Sequence, residues 1–193
     1  MHRHRQAFLA LAGALSLVPL GQLAAAEMPA LPQLIEMLRP PGERASASAG
    51  FSTTAPTVSR ARPAVDEAAA RTTAPEGTAA AALALPFQSG SAALTAEAEK
   101  MLEALARALN SLELAKYRFK IEGHTDTAGD APINMILSER RAATVREYLV
   151  SRLGVPASRL DAVGLGETQL LVQTPDATAE PRNRRVQILN IGS

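Results

Sequence analysis

Three side chains that can bind charged groups occur within one short stretch of this 193-residue chain: Asp126, Asn134 and Arg141. At 100° per residue, Asn134 and Arg141 fall in the middle of the apolar face of a predicted helix. An arginine in an apolar stripe needs a partner, because a lone buried charge costs several kcal/mol. Asp126, on the loop before the helix, is the nearest candidate, so the pattern predicts a polar notch formed by the three residues.

The notch has two interpretations that spacing alone leaves open. It is either a structural ion pair that pins the loop to the helix, or a binding site for a small ionic group. In a binding site, Arg141 can hold a carboxylate through two parallel hydrogen bonds, and Asp126 can pair with an ammonium group.

Catalytic and metal-binding alternatives use neighbouring residues. His124 and Asp126 lie two positions apart at a strand end, and with Ser138 they could act as a hydrolase, although no oxyanion hole is evident. His124, Asp126 and Asp130 could bind a metal ion, but their spacing matches no ligand pattern. We therefore expect neither a catalytic residue nor a metal or other cofactor.

Local patterns predict the elements that must position the notch. Alternating apolar and charged residues predict a strand at 117–123. Asp130 is a suitable N-cap, and Pro132 fits the first turn of the helix. Helical periodicity continues over 133–153 and stops at Gly154.

The remaining patterns predict strands at 83–87, 159–164 and 186–191, and a helix at 96–109 capped by Thr95. The order of elements is therefore βαβαββ. It predicts an α+β sandwich in which two main helices pack on one face of a mixed four-stranded sheet.

The stretch GHTDTAGDAPINMILSERRAATVREYL resembles the OmpA-like C-terminal domain family. That family has a Thr-Asp pair followed by an N-x-x-L-S-x-x-R-A segment, with the key Asp and Arg fifteen positions apart. Asp126 and Arg141 have this spacing here. The segment is filled by Asn134, Leu137, Ser138, Arg141 and Ala142. The resemblance covers residues 83–192, somewhat over half of the chain.

This resemblance implies a function and a site. The family binds peptidoglycan non-covalently and holds the diaminopimelate residue of the stem peptide. The ligand-binding residues implied here are Thr125, Asp126, Asn134, Arg141 and Arg184. By contrast, we interpret Arg185 as a solvated charge at a strand edge.

Composition excludes several classes of function. The formal net charge is +1 and no dense basic stripe occurs, so nucleic acid is not an expected partner. The chain has no cysteine, which excludes disulfides, thiolate metal sites and a cysteine nucleophile. The lack of cysteine also predicts a non-lipidated member of the family.

Residues 1–26 are predicted to be a secretory signal peptide. Basic residues precede an apolar run, and Ala24-Ala25-Ala26 forms a small-residue cleavage site. Retention of the run as a membrane anchor is the alternative. Export implies a Gram-negative periplasm, in association with the cell wall and outer membrane.

Residues 27–80 are predicted to be a Pro/Ala/Thr-rich linker, because the stretch has few large apolar residues to offset the entropy of ordering. A short helix at 33–38 is the exception, and it could dock on the domain or on a partner. The Ala-rich run at 77–84 fits either a helix or a strand. The binding domain is assigned to 81–193.

The sequence thus predicts a non-enzymatic module that binds peptidoglycan and tethers the protein or the envelope to the wall. A wall anchor for a larger envelope machine, of stator or secretion type, is the alternative, and a cell-wall hydrolase is a weaker one. Other envelope proteins could bind through the N-terminal linker.

The signal peptide yields a first prediction. The mature protein should begin at Glu27, because the small-residue site ends at Ala26. Mass spectrometry of the protein from a periplasmic fraction measures its N-terminus. Recovery of intact Met1 from inner membranes would contradict cleavage.

Overall fold

A computed structural model describes residues 29–44, 72–88 and 90–193. The predicted signal peptide and most of the predicted linker lie outside these residues. The helices are α1 (Leu31–Leu38), α2 (Pro41–Arg44), α3 (Ala96–Leu109) and α4 (Ala131–Ser151), with a 3₁₀ turn at Ala157–Arg159. The strands are β1 (Ala80–Leu83), β2 (Phe119–His124), β3 (Leu160–Gly166) and β4 (Val186–Asn190).

The four strands form one mixed sheet in the order β1-β4-β2-β3. β4 is antiparallel to both of its neighbours, whereas β2 and β3 run parallel. The ends of β1, β2 and β3 and the start of β4 therefore meet at one edge of the sheet. The predicted α+β fold, with its helices packed on a mixed four-stranded sheet, is confirmed.

Helix α3 follows from its sequence pattern. The Thr95 side chain accepts a hydrogen bond of 3.2 Å from the Ala98 amide, as an N-cap does. One face of the helix is apolar and fully buried, including Leu102, Leu105 and Leu109. This face joins the strand residues in a single hydrophobic core.

Helix α4 changes character along its length. Its buried face is polar near the N-terminus, at Asn134 and Ser138, and apolar further on, at Ala142, Val145 and Leu149. The apolar half packs into the core, while the polar half lies at the sheet edge where the strands meet. The predicted helix is thus confirmed: it begins directly after the predicted N-cap Asp130 and ends at Ser151, two residues before its periodicity indicated.

Two glycines allow α4 to lie directly on the sheet. A Cβ atom at Gly123 would lie 2.3 Å from the carbonyl oxygen of Ser138, and one at Gly164 would lie 2.3 Å from the Glu139 amide nitrogen. No larger residue fits without displacing backbone. The Ser138 hydroxyl completes this contact by donating to the Met135 carbonyl at 2.7 Å and accepting from the Gly166 amide at 2.8 Å.

The first strand differs from its prediction. The Ala-rich run forms β1 and pairs with β4, while Leu85 and Pro86 lie beyond the strand. Phe87 makes only an isolated bridge with Leu94. Alternate residues of β1, Ala81 and Leu83, are buried in the core. Alanine is uncommon in strands, so residue preference did not reveal this one.

The segment before β1 also packs on the domain. Leu34 and Leu38 of α1 are fully buried in the common core, and the Leu38 carbonyl accepts a 2.8 Å hydrogen bond from the Asn190 side chain. Further along, the Thr73 amide donates to the Gln187 side chain. The segments 29–44 and 72–79, which lie outside the predicted domain of 81–193, therefore contact that domain.

None of the helices in residues 29–44, 72–88 and 90–193 combines the length and apolar character that crossing a bilayer requires.

Docking of α1 yields a second prediction. Leu34→Ala should lower the free energy of unfolding by about 2–5 kcal/mol, because it leaves a cavity in the core. Leu112→Ala, at a residue that is 95% exposed, is the matched control and should change it by less than about 0.5 kcal/mol. Urea unfolding measures both. Equal effects of the two substitutions would show that α1 does not contribute to the core in solution.

Candidate functional site

Asp126 lies at the sheet edge, immediately after β2, and is 5% exposed. Its Oδ2 atom accepts hydrogen bonds from the Arg184 guanidinium and from the Glu180 amide, the latter at 3.1 Å. Its Oδ1 atom has only a long contact of 3.4 Å with the Ala128 amide. One carboxylate oxygen is therefore occupied, and the other retains the capacity to accept a stronger bond.

Asn134 holds the loop that carries Asp126. Its side-chain nitrogen donates to the backbone carbonyls of Asp126 and Ala128, each at 3.2 Å, and to Oε2 of Glu167 at 2.8 Å. The amide thus ties the first turn of α4 to the ends of two strands.

Arg141 does not form the ion pair with Asp126 that its helical position suggested; among the described residues, the side chain that pairs with Asp126 is Arg184. The Nε atom of Arg141 donates to the Ser91 carbonyl at 3.1 Å, and its guanidinium stacks 4.8 Å from the centre of the Phe87 ring. Its terminal nitrogens have no partner among the described residues. Burial and the Arg184 charge lower the pKa of Arg141, while the charge of Asp126 opposes this shift.

The interpretation of Arg185 as a solvated strand-edge charge was wrong. Arg185 is 5% exposed, and its guanidinium donates to Asn183, Thr73 and Gln169. Segments distant in the sequence cover it, so local pattern could not reveal the burial. Desolvation lowers the pKa of Arg185 to about 10, and the group still carries its charge at neutral pH.

His124 is also buried, at 1% exposed. Neither ring nitrogen has a hydrogen-bond partner among the described residues; Nε2 lies 3.8 Å from the Glu122 carboxylate, too far for a hydrogen bond. Burial, followed by the charge of Arg185, lowers the pKa of His124 to about 3. The imidazole is therefore neutral at physiological pH.

Four of the charged or polar side chains at this edge of the sheet line one cleft of about 220 Å³, whereas Asp126 and Asn134 lie outside its lining. Its lining consists of Ala84, Leu85, Pro86, Phe87, His124, Arg141, Pro181, Arg184 and Arg185. The polar members are three arginines and a neutral histidine, with the Asp126 carboxylate bonded to one of the arginines. Such a cleft suits an anionic group such as a carboxylate, which guanidinium groups bind through paired hydrogen bonds.

The catalytic and metal-binding alternatives gain no geometric support. Ser138 is fully buried, and its hydroxyl bonds both α4 and β3, so it is not available as a nucleophile. In the described part of the chain, no group of three or more His, Cys, Asp or Glu side chains could hold a metal ion. Thr125 is buried with its hydroxyl unpartnered by described residues.

Fold and site together define a small α+β module with a charged cleft at one sheet edge. The OmpA family model matches residues 86–184, just over half of the 193-residue chain. The chain therefore belongs to the OmpA family, as the resemblance in its sequence predicted.

Curated relatives include the peptidoglycan-associated lipoprotein of Rhizobium meliloti, which is 35% identical over 99 residues, or 51% of this chain and 54% of that protein. Outer membrane protein A of Bordetella avium is 35% identical over 107 residues, or 55% of this chain and 54% of that protein. The chain thus spans about half the length of these two relatives.

Solved structures with the same fold include the cell wall anchor of the T6SS from Pseudomonas aeruginosa. It is 28% identical with a TM-score of 0.52, covering 67% of this chain and 94% of that one. A putative MotB-like protein from Desulfovibrio vulgaris is 26% identical with a TM-score of 0.52, covering 63% of this chain and 77% of that one.

Sequence reasoning did not identify four contacts of the site: the stacking of the Phe87 ring on Arg141, and the bonds made by the Ser91 carbonyl, the Glu180 amide and the Glu167 carboxylate. Backbone groups carry no signal of side-chain type, so two of these could not be found. Glu167 follows Gly164 and Gly166 in a GLGE segment, and glycines at this spacing are typical of a turn and do not indicate an acceptor. The position of Asn134 on the apolar face of the predicted helix was the one indication that a nearby side chain must accept a hydrogen bond, as Glu167 does.

The pKa of His124 yields a third prediction. In the unfolded chain this imidazole binds a proton below its ordinary pKa of 6.5, whereas the native state binds it only near pH 3. The unfolded state therefore holds more protons between these values, and stability must fall as the pH is lowered through that window. From pH 7 to pH 5, this one group should remove about 2 kcal/mol.

Urea unfolding of the wild type and of His124→Leu at pH 7, 6 and 5 measures this effect. The variant should lose less stability than the wild type over the same range. The other two histidines, His2 and His4, lie in the predicted signal peptide and are absent after cleavage. Identical pH dependence in the two proteins would show that His124 is solvated in the native state.

Proposed function

We propose that this domain binds peptidoglycan non-covalently by holding the diaminopimelate residue of the stem peptide, and so tethers the protein to the cell wall. The observation that carries the proposal is the cleft lined by Arg141 and Arg184, the second of which bonds to the Asp126 carboxylate. The side chain of diaminopimelate ends in a carboxylate and an ammonium group on the same carbon, which complement this arrangement.

Arg141 is assigned to the ligand carboxylate. The Ser91 carbonyl and the Phe87 ring fix the guanidinium, while its terminal nitrogens remain free of described partners. A guanidinium held in this way can form two parallel hydrogen bonds to a carboxylate at a small entropic cost.

Asp126 is assigned to the ligand ammonium group, through its under-used Oδ1 atom. Arg184 is 45% exposed in its side chain, so it can keep its bond to Asp126 while turning a free nitrogen toward the ligand carboxylate. Asn134 supports this site by holding the Asp126 loop, and the unpartnered Thr125 hydroxyl offers one more polar contact.

The relatives support peptidoglycan binding and anchoring to the cell wall. One is named for its association with peptidoglycan, and a structure of the same fold is titled a cell wall anchor. These names belong to envelope proteins and not to enzymes, and they favour a location in the Gram-negative periplasm, next to the wall and outer membrane. The structure of the T6SS cell wall anchor also favours a second role, in which this domain attaches a larger envelope assembly to the wall.

A paired measurement of stability and wall binding gives a fourth prediction. Arg141→Ala should abolish sedimentation with diaminopimelate-containing sacculi while costing about 1 kcal/mol of stability, because the folded protein loses only the hydrogen bond to the Ser91 carbonyl and the stacking on Phe87. Asp126→Ala should also abolish sedimentation but cost about 1–3 kcal/mol, since the Glu180 amide loses its acceptor. Arg141→Lys should bind poorly, because an ammonium group cannot form the two-pronged contact.

Arg140→Ala is the matched control, an exposed arginine on the same helix turn, and it should sediment like the wild type. Sacculi with lysine at the stem position lack the side-chain carboxylate and should retain much less protein. Folded Asp126 and Arg141 variants that sediment normally would exclude this cleft as the ligand site.

A further inference from the structure

The cleft contains polar atoms that the proposed contacts with diaminopimelate do not use. Both ring nitrogens of His124 and the Nε atom of Arg185 are buried without a hydrogen-bond partner among the described residues. The two residues are 1% and 5% exposed. Both line the same cleft as Arg141 and Arg184. Native proteins leave few such atoms unpaired, so each requires an explanation.

The chemistry of the two side chains defines the group that would pair with them. The other two guanidinium nitrogens of Arg185 bond to Asn183, Thr73 and Gln169, which leaves Nε as the guanidinium nitrogen without a partner among the described residues. A guanidinium only donates, so its partner must be an acceptor. The neutral His124 ring supplies a second N–H donor. Together they suit a group with oxygen acceptors, such as a carboxylate or a carbonyl.

Among the described residues, no protein group supplies that acceptor within hydrogen-bond distance. Glu122 is the nearest carboxylate to His124, but it already bonds to Lys120 at 3.0 Å and to Gln187 at 3.2 Å. Water is the other candidate, since buried waters commonly satisfy such atoms. The cleft volume of about 220 Å³ exceeds the roughly 30 Å³ that one water occupies, so it has room for part of a ligand.

We propose that His124 and Arg185 form a second subsite, which binds an oxygen acceptor on the part of the diaminopimelate residue remote from the Arg141 contact. This proposal rests on the proposed function. Diaminopimelate has two amino-acid centres, and Arg141 and Asp126 account for the free one. The subsite takes the carboxyl group of the other centre, which is a carboxylate in a stem tripeptide and an amide carbonyl when a further residue follows.

Two small probes test the proposal by titration, followed through protein NMR chemical shifts. One is meso-diaminopimelate acetylated on its L-centre nitrogen. The other is Nε-acetyl-D-lysine, which is the same molecule without the L-centre carboxylate. The wild type should bind the first about tenfold more tightly, the effect expected of a hydrogen bond to a charged group. Titrations with the stem tripeptide and the stem tetrapeptide then compare the affinity for a carboxylate with that for an amide carbonyl at the L-centre.

Two variants locate the effect. His124→Leu removes both ring nitrogens, and Arg185→Lys keeps the charge but lacks the Nε–H group. Each should bind the two acetylated probes nearly equally, with affinity for the lysine probe unchanged. Arg140→Lys is the matched control and should keep the wild-type preference. Thermal melts identify any variant that does not fold, and either variant alone is sufficient for the test.

The outcomes separate this proposal from the proposed function. Equal binding of the two acetylated probes by the wild type, or a preference that survives both substitutions, would mean that water alone fills the subsite. The function would then stand, provided that Arg141→Ala abolishes binding of both probes. A wild type that binds neither the probes nor sacculi would overturn both proposals.

Discussion

The close contact between helix α4 and the ends of β2 and β3 is the constraint on which the rest of the structure depends. Gly123 and Gly164 lie so near the helix backbone that a Cβ atom would overlap it, at 2.3 Å in each case. The buried Ser138 hydroxyl bonds both to its own helix and to the Gly166 amide. The helix is thereby held in one position on the sheet, and contacts of this kind tolerate little displacement because interiors are close-packed.

This contact explains how one helix serves both the core and the site. Its C-terminal half is apolar and packs with the sheet, while its N-terminal half places Asn134 beneath the loop after β2. Asn134 fixes that loop, and the loop fixes the Asp126 carboxylate. Because β4 runs antiparallel to its neighbours, it begins at the same sheet edge and brings Arg184 to Asp126. The charges of the cleft are thus positioned by backbone geometry before any ligand binds, which lowers the entropic cost of binding.

The cleft carries more positive than negative charge. Arg141, Arg184 and Arg185 line it, whereas Asp126 is already shared between an arginine and a backbone amide. Desolvation lowers the pKa values of Arg141 and Arg185, which shows that burying these charges costs free energy. An anionic ligand would recover part of that cost. A purely structural ion pair would need one arginine for one carboxylate, and the additional guanidinium groups favour a binding role.

The sequence by itself determined the local features. Helical periodicity, the Thr95 cap and the spacing of Asp126, Asn134 and Arg141 gave the elements and the residues at the sheet edge, because these depend on neighbours within a few turns of chain. Tertiary structure decided the partners. Asp126 pairs with Arg184, 58 residues later, and Arg141 bonds to Ser91, 50 residues earlier. Arg185 is buried, and α1 packs into the core, only because segments remote in the chain cover them. Pairing and burial are set by strand order and register, and a linear pattern of residue types does not contain that information.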